Sequence, residues 1–534
     1  MKLSWKDWIK YHVLTHVVKI LHVLGASYER LSKISFITSS IIIVQGKKLS
    51  KMKIDKNSKP QTIYILEMVS GSTFHLFIEG LIALGLKKRG HKVIMVIDRN
   101  FFPIHELKRI GDEKNWDSKS ERQFSFALKF LNSIKVEYQT VEELVGDINN
   151  ISYSNEYDTV LEATLLKHYK VGVITEDLPN IEFKKSLIEQ AITISDALGK
   201  KLASLNPDSV IMSHGIYSTW GPVFQVLDAN KTPILVHGRG KKRHSQVFNW
   251  NKTGDSWDVS EEWNRIKDKD LTKEELNEIH DYLDSRISHK NDVFVYNFGS
   301  KTEDNETIEY LGLDKDKPIY TLFTNVLWDA ASAQREIVFN NPVEWVIETI
   351  KWFNEQPGKQ LIVKIHPAEV VIGTNMPFYD IILERVTPNK NVRIIKPKEK
   401  VNSWSIYDIS TLGIVHTTTA GMEMPLVNKP CMVVSKTHYR DKGFTIDVNS
   451  KEEYYDMLKN FDPAKIDCAK NKERAFKYAY LLFMRYQVSF NFFFEEVSTE
   501  IKGFRYDTFE KYLKDQGFTK IIDDIENRSH IFDK

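Results

Sequence analysis

Cysteine is the scarcest informative residue in this chain, since only Cys431 and Cys468 are present among 534 residues. Two thiols are too few for a disulfide framework or a thiolate metal site, so a reducing compartment, the cytoplasm, is expected. Long apolar runs are missing too. The most apolar stretch, residues 34–44, is too short and too rich in Ser and Thr to span a bilayer. The charged, aromatic start shows no secretory signal pattern.

Charge of one sign is also lacking overall, because the formal net charge is only +2. This near-neutral balance argues against a nucleic-acid partner for the protein as a whole. The first 60 residues are nevertheless basic, with twelve Lys and Arg against three acidic residues. The charge of that segment suits an anionic surface.

A chain of this length predicts two domains. The expected segments are a basic helical extension with a linker over residues 1–60, an N-terminal domain over 61–300, a C-terminal domain over 301–475, and helices over 476–534 that pack across the domains.

Residues 1–33 carry apolar side chains at spacings of three and four, which predicts an amphipathic helix. These are Trp5, Trp8, Ile9, Val13, Val17, Ile20, Leu21 and Leu24. Two interpretations stay open. The helix lies on a membrane surface, aided by the lysines between residues 47 and 59, or it packs on the protein's own body.

Strand and helix patterns alternate through both predicted domains. In the first, strand 62–67, a turn at 70–72, helix 75–88 and strand 92–98 form a Rossmann-type unit, and strands 208–213 and 233–237 flank helix 223–229. In the second, strands 318–323, 360–365, 391–395, 412–415 and 431–434 alternate with helices 343–354 and 378–385. A further helix is predicted over 475–497. The fold class is therefore α/β with two Rossmann-like domains.

Polar residues follow several of these strands, where open α/β sheets bind their ligands. Lys364 and His366-Pro367 close one strand, and Glu369 comes just after them. His416 closes another and leads through Thr417-Thr418-Thr419 into a helix near Ala420 with Glu423 in its first turn. Hydroxyls and unpaired amides at such a turn suit a phosphate. The alternative is that one threonine merely caps the helix.

These motifs resemble the bacterial capsule-polysaccharide synthesis glycosyltransferases, relatives of the Kdo and sialic acid transferases with an HP motif and a Ser/Thr-rich motif. The segment from Glu423 to Asn428-Lys429-Pro430 matches a helix turn that usually has glycine where Asn428 stands, and residues 438–445 resemble the family's aromatic Gly-Leu-Thr segment. The resemblance implies two domains facing a cleft (GT-B), with Glu423 on the ribose. The donor-binding residues expected on this basis are Thr324, Asn325, Lys364, His366, Glu369, His416, Thr417, Thr418, Thr419 and Glu423.

The resemblance also bears on stereochemistry. Many retaining GT-B enzymes carry a second glutamate eight positions before the one that Glu423 matches, where this chain has Val415, so inversion is expected. An inverting transfer needs a general base for the acceptor hydroxyl. The candidates are His214, His237, His75 and Glu67 in the first domain and Asp329 in the second, with His214 ranked first.

The expected function is transfer of a sugar from a CMP- or UDP-linked donor to a surface glycan or lipid-linked glycan, without a metal or other cofactor. The expected location is the cytoplasm, with peripheral attachment at the inner face of the cell membrane. Three alternatives stay open: a polyol-phosphate transferase of teichoic acid type, a sugar-nucleotide 2-epimerase-like enzyme, and a non-enzymatic sugar-binding scaffold.

Overall fold

The computed structural model describes residues 5–57, 59–68, 73–104, 113–148, 151–287, 299–329, 334–497 and 500–529. The predicted turn at 70–72 lies outside these ranges. None of the helices within them combines the length and the apolar character that crossing a bilayer would require.

Fifteen strands occur in the described ranges. In chain order they are β1 Thr62–Glu67, β2 Lys92–Ile97, β3 Glu137–Thr140, β4 Ser209–Ser213, β5 Ile234–Arg239, β6 Ser245–Trp250, β7 Ile319–Phe323, β8 Gln360–Lys364, β9 Val392–Ile395, β10 Leu412–Val415, β11 Cys431–Val433, β12 Ile446–Asp447, β13 Val488–Ser489, β14 Phe493–Val497 and β15 Glu500–Phe504. All the strands predicted from the sequence are among them, so the alternating pattern is confirmed.

Helices separate most of the strands. They are α1 Trp5–Trp8, α2 Leu14–Val23, α3 Tyr28–Ser32, α4 Thr38–Leu49, α5 Thr73–Lys88, α6 Glu113–Ile134, α7 Val141–Val145, α8 Asp158–Tyr169, α9 Ile181–Ser204, α10 Gly221–Ala229, α11 Ser260–Ile266, α12 Lys273–Ile287, α13 Asp304–Leu311, α14 Pro342–Asn354, α15 Ala368–Val371, α16 Phe378–Arg385, α17 Ser403–Ile409, α18 Ala420–Leu426, α19 Lys451–Asn460, α20 Cys468–Tyr480, α21 Phe509–Leu513 and α22 Gln516–Asn527. Short π-helical turns at Ile9–Val13 and Leu481–Arg485 join α1 to α2 and extend α20.

The chain divides into two compact units at positions other than the predicted domain boundaries. The first unit holds residues 1–164, 179–254 and 487–534, and the second holds residues 165–178 and 255–486. The basic N-terminal segment therefore belongs to the first unit, and the chain returns to that unit at its end.

The first unit is built on a seven-stranded sheet of order β13-β6-β5-β4-β1-β2-β3. Its five strands from β5 to β3 run parallel, while β6 and β13 are antiparallel to their neighbours. Strand β1 is buried along nearly all its length, as expected where helices cover both faces of a parallel sheet. Helix α5 packs closely against α6, since a Cβ at Gly80 of α5 would lie 2.7 Å from the Phe130 ring of α6.

The second unit contains a six-stranded, fully parallel sheet of order β12-β11-β10-β7-β8-β9. Its core joins the buried strands to α14 and α16 through large side chains such as Trp345, Phe353 and Phe378. The crossovers place β7 between β10 and β8, so the carboxyl ends of these three strands are neighbours. Both units are thus Rossmann-like, and the predicted α/β class is confirmed.

The predicted helix over 475–497 is wrong beyond residue 485. Residues 488–489 form β13 on the edge of the first sheet, and Phe493–Val497 pairs with Glu500–Phe504 as an antiparallel hairpin. The aromatic side chains that suggested a helix face serve the core of the first unit instead, since Phe490, Phe492 and Phe493 are all buried there. Aromatic residues favour strands as readily as buried helices, which explains the error.

Candidate active site

The donor-binding residues predicted from the sequence cluster at three adjacent strand ends of the second unit. Thr324 and Asn325 follow β7, His366 follows β8, and the turn 416–419 follows β10. In a parallel sheet the carboxyl ends of neighbouring strands lie on the same side, and open α/β sheets bind their ligands there. The crossovers of the sheet therefore gather residues that are nearly a hundred positions apart in the sequence.

Asn325 links the ends of β7 and β10. Its Nδ2 donates a hydrogen bond to Thr417 Oγ1 over 2.8 Å, and its Oδ1 accepts one from the Thr417 amide over 3.2 Å. Asn325 is 8% exposed, which keeps both bonds largely out of water. A buried, paired amide of this kind fixes the turn after β10 relative to β7.

Thr324 links β7 to the strand on its other side. Its hydroxyl accepts a hydrogen bond from the His366 amide over 3.0 Å, and its own amide donates to the Lys364 carbonyl over 3.1 Å. Thr324 is only 1% exposed. Its role is therefore to hold the HP turn in place rather than to meet a ligand.

The HP turn sets the tautomer of His366. The Ala368 amide donates to His366 Nδ1 over 3.1 Å, so that nitrogen must carry a lone pair. The neutral ring then holds its proton on Nε2, which makes Nε2 the donor. His366 is half-buried, so a donor is positioned at the end of β8.

The hydroxyl-rich turn does not use its threonines as helix caps. Thr419 stands immediately before α18 but its side chain makes no capping hydrogen bond. The hydroxyls of Thr418 and Thr419 have no acceptor or donor among the described residues, and both residues are half-buried. The turn is anchored through its backbone instead, because Tyr439 donates to the Thr418 carbonyl over 2.6 Å. This geometry speaks against the capping interpretation.

Glycine is required next to that anchor. A Cβ at Gly421 would lie 2.6 Å from the Tyr439 ring and hydroxyl, so a larger residue would displace the tyrosine. At the other end of α18, Asn428 has φ of 59° and closes the helix in the left-handed conformation. This backbone conformation is one that asparagine tolerates better than other residues with a side chain.

Two charged residues of the predicted donor set lie in the interior of the second unit. Lys364 is 5% exposed and its Nζ donates to the Val401 carbonyl over 3.1 Å, while burial lowers its pKa to about 8. Glu369 is also 5% exposed, and burial raises its pKa to about 7. The Phe378 amide donates to its Oε2 over 3.3 Å. Both side chains are engaged with the backbone of other segments, at Val401 and Phe378, instead of presenting a charge at the strand ends.

His416 and Glu423 are similarly enclosed. His416 is 3% exposed beside the Trp345 ring, and burial lowers its pKa to about 4, aided by the charge of Arg335. Glu423 is 5% exposed and accepts from Arg286 Nη2 over 2.6 Å and from the Tyr407 hydroxyl over 2.8 Å. Both its oxygens are thus engaged within the unit, and the ribose contact of Glu423 stays a prediction.

Asp329, the predicted base of the second unit, is half-buried in the segment after β7. The residue before it, Trp328, is buried, and the ammonium groups of Lys167 and Lys170 lie 4.8 and 5.6 Å from its ring centroid. Asp329 therefore stands in a cationic neighbourhood of the same unit.

Three histidines meet at the strand ends of the first unit. His75 lies on α5, His214 follows β4, and His237 belongs to β5. The ring centroid of His75 lies 5.8 Å from that of His214 and 6.1 Å from that of His237. Trp220 packs against two of them, 5.6 Å from His214 and 6.4 Å from His75. The structure thus brings together three of the base candidates, while Glu67 is buried at the end of β1.

Glu79 completes this histidine cluster and was missed in the sequence. Its Oε1 lies 2.9 Å from His237 Nε2, and neither side chain is exposed. Burial raises the pKa of Glu79 well above its usual range and lowers that of His237 to about 4, so burial disfavours the charged form of both groups. Its position one helical turn after His75 was the available signal.

The histidine cluster contains unusual polar groups. Within the described residues, His75 Nδ1, His237 Nδ1, Glu79 Oε2 and the Trp220 indole nitrogen are buried without a hydrogen-bond partner. Most buried polar atoms in proteins are paired, so four unpaired atoms in one cluster set it apart from an ordinary core.

His214 adds backbone strain to the cluster. Its φ is 56°, a left-handed value that is rare outside glycine, and its carbonyl accepts from the Gly254 amide over 2.7 Å. Its Nδ1 is in hydrogen-bond contact with the Ser213 hydroxyl. Strained residues held in this way cluster at functional sites. No group of three His, Cys, Asp or Glu side chains in the described part of the chain is arranged to hold a metal ion.

No protein-family model and no curated protein matches this sequence. Among solved structures, the chain is similar to KpsC, a β-Kdo 2,4 transferase of Thermosulfurimonas dismutans, with 15% identity and a TM-score of 0.33 over 52% of this chain and 80% of that one. It is also similar to the calicheamicin glycosyltransferase CalG4, with 14% identity and a TM-score of 0.24 over 79% and 94% of the two chains. A third similar structure is UDP-GlcNAc 2-epimerase from Neisseria meningitidis bound to UDP-GlcNAc, with 10% identity and a TM-score of 0.24 over 78% and 98%.

Proposed function

We propose that this protein is a metal-independent glycosyltransferase that moves a sugar from a nucleotide-sugar donor to a hydroxyl of a glycan acceptor. The observation that carries the proposal is that side chains link the carboxyl ends of three neighbouring strands in the second sheet. There Asn325 and Thr324 join the ends of β10, β7 and β8. The turn after β10 has two unused hydroxyls, and the histidine after β8 has Nε2 as its donor.

This edge suits the phosphate of the donor. In the proposed reaction the bond between the anomeric carbon and the phosphate oxygen breaks, and the oxygen leaves with both electrons. The hydroxyls of Thr418 and Thr419 and the Nε2–H of His366 donate hydrogen bonds to the departing phosphate. Fixed donors aimed at developing charge stabilise a transition state without reorganisation. We infer CMP or UDP as the nucleotide.

We propose inversion at the anomeric carbon. Val415, at the place where related retaining enzymes carry a glutamate, is a fully buried strand residue. Without a carboxylate there, the acceptor oxygen attacks directly from the face opposite to the phosphate. A general base must take the proton of that hydroxyl as the new bond forms.

The proposed base is in the histidine cluster of the first unit. His214 takes the proton, and His75 lies beside it with the buried Glu79–His237 pair behind. His214 is half-buried, so it is the member of the cluster that is proposed to receive the acceptor hydroxyl. Asp329 of the second unit remains the other candidate for the base.

The acceptor is proposed to be a surface glycan, such as capsule or lipopolysaccharide, or its lipid-linked precursor, reached from the cytoplasmic face of the membrane. An enzyme working there would meet its acceptor at the bilayer surface, next to the basic segment of residues 1–60.

The test is to incubate the protein with CMP-, UDP-, GDP- and CDP-linked sugars and a panel of acceptors and to identify the products by mass spectrometry. Replacing both Thr418 and Thr419 by Val should lower kcat/KM by about a hundredfold, as removal of a preorganised donor does in other enzymes. Thr232→Val, a half-buried threonine before β5 of the first unit, is the matched control and should leave kcat/KM unchanged.

The product also separates the alternatives. Interconversion of a UDP-sugar without an acceptor would identify an epimerase, and transfer of a polyol phosphate from a CDP-linked donor would identify a teichoic-acid type enzyme. Full activity in a folded Thr418→Val/Thr419→Val variant would refute the proposed donor site. Donor binding without any turnover across the panel would favour a scaffold.

A further inference from the structure

The N-terminal helices cover one side of the first unit with an apolar layer. Val18 of α2 is fully buried in a small core with Tyr28, Ile41 and Val44, and Leu14 and Leu21 pack against its edge. The Ser40 hydroxyl ties α4 to the preceding helical segment by donating to the Lys10 carbonyl over 2.6 Å. One stripe of α2 is therefore accounted for by packing on the body of the protein.

A second apolar stripe of the same segment faces away from that core. Val13, Val17, Ile20 and Leu24 follow one another at spacings of four, three and four, and they are 43%, 39%, 58% and 77% exposed. Val23 beside them is 84% exposed. We call these five residues the exposed apolar face. Amphipathic helices that pack on one side normally carry polar residues on the other, so this face requires a second partner.

Two tryptophans and several lysines border the exposed apolar face. Trp5 and Trp8, at the start of the same helical segment, are 76% and 49% exposed, and Lys6 and Lys19 are exposed among them. Tryptophan prefers the boundary between hydrocarbon and water. Lysines near an anionic surface are attracted to it.

Charge also distinguishes a lipid surface from a protein partner. The stretch that follows α4 carries the exposed lysines Lys51, Lys53, Lys56 and Lys59, and its one acidic residue, Asp55, is already paired with Lys88. The helical segment that bears the face itself carries the exposed Lys6 and Lys19, so a second copy of this chain would bring the same positive charge to the contact and be repelled. An anionic bilayer matches both the apolar side chains and the lysines of this segment.

We propose that the exposed apolar face docks on the surface of an anionic lipid bilayer. Val17, Ile20 and Leu24 enter the boundary between headgroups and acyl chains, the two tryptophans lie at headgroup level, and the lysines meet lipid phosphates. The segment lies in the plane of the interface. This inference concerns where the protein is held and does not depend on the glycosyl transfer proposed above.

The experiment is sedimentation of the full chain with vesicles of phosphatidylcholine alone or mixed with phosphatidylglycerol, at low and high salt. The wild type should pellet with the anionic vesicles and less well as salt rises. Ile20→Glu/Leu24→Glu should weaken this binding about tenfold or more, because two charges replace the inserted side chains. The control is Phe183→Glu, which alters a residue of α9 in the same unit that is 62% exposed.

Folding is checked by thermal melting, and Ile20→Ser/Leu24→Ser provides a milder second variant. Absence of vesicle binding by the wild type would overturn the proposal, and so would equal binding by folded Ile20→Glu/Leu24→Glu. Light scattering tests whether a second copy of this chain binds the exposed apolar face instead. If the wild type is a dimer, Ile20→Glu/Leu24→Glu is a monomer and neither binds vesicles, the face serves self-association and the proposal is overturned. Turnover on a soluble acceptor is followed in parallel, so loss of docking and failure of the proposed chemistry are distinguishable.

Discussion

The side chain of Asn325 and the residue Thr417 exchange two hydrogen bonds, of 2.8 and 3.2 Å, across the ends of β7 and β10. Neither residue is near the other in sequence. The carboxamide is the one side chain that offers a donor and an acceptor at this spacing, so it fixes both the hydroxyl and the amide of the turn. The precision of the proposed phosphate site depends on this link.

A double-mutant cycle on Asn325 and Thr417 measures the link. We expect Asn325→Ala to lower the free energy of unfolding by about 1–3 kcal/mol and Thr417→Val by less, with a coupling energy of about 1 kcal/mol. Both should raise the donor KM. The control is Asn354→Ala. Asn354 is the last residue of α14, and its Nδ2 donates a hydrogen bond to the Thr387 carbonyl. It should cost stability without changing KM. Additive effects on stability would show that the two side chains act independently.

Glu369 should make the protein less stable as the pH rises. Burial raises its pKa from 4.5 to about 7 in the folded state, so between these values the folded chain binds more protons than the unfolded one. Stability then falls with rising pH across this window, by up to about 3 kcal/mol. Glu369→Gln keeps the shape and removes the titration. Chemical denaturation at pH 5 and pH 7.5 should show that the free energy of unfolding of the variant, relative to that of the wild type, is higher at pH 7.5. A difference between the two proteins that does not change with pH would contradict the prediction.

His416 should have the opposite dependence. Its pKa is lowered from 6.5 to about 4 by burial, so the unfolded chain binds more protons between these values and stability is lost as the pH falls. His416→Gln should reduce the loss of stability between pH 6.5 and pH 4.5. His12→Gln, at an exposed position of the N-terminal segment, is the control and should not alter the acid profile. Equal profiles for His416→Gln and the wild type would refute this assignment.

The ion pair of Arg286 and Glu423 should matter more for stability than its single contact suggests. Arg286→Met leaves the Glu423 carboxylate buried with Tyr407 as its remaining partner, which should cost about 3 kcal/mol or more. Glu423→Gln should cost less, because a neutral amide is cheaper to bury.

Kinetics then separate a structural role from the predicted ribose contact. If Glu423 only supports α18, both variants should change kcat and the donor KM in proportion to their loss of stability. A rise in donor KM for Glu423→Gln alone, at a temperature where both variants are folded, would instead support the ribose contact.

The sequence was sufficient for the architecture because apolar periodicity is local. Buried parallel strands have short runs of apolar residues, and the helices between them have apolar residues at spacings of three and four. Strands such as Ile319–Phe323 and Gln360–Lys364 were therefore predictable. The same logic failed at Phe493–Val497, where aromatic residues suit a hairpin and a helix equally. Strands β3 and β6 were missed because polar residues interrupt their apolar pattern, as Glu137 and Gln139 do in β3 and Ser245, Gln246 and Asn249 do in β6.

The sequence alone also determined which residue types stand at the strand ends, including His366, the three threonines and the histidines at 214 and 237. Only the tertiary structure decided their burial and their partners. It turned Lys364, Glu369, His416 and Glu423 inward, left the hydroxyls of Thr418 and Thr419 unused, and added Glu79 to the histidine cluster. It also gave α2 one buried and one exposed apolar stripe. Burial and pairing depend on crossovers that join distant segments, and no local pattern in a single sequence records them.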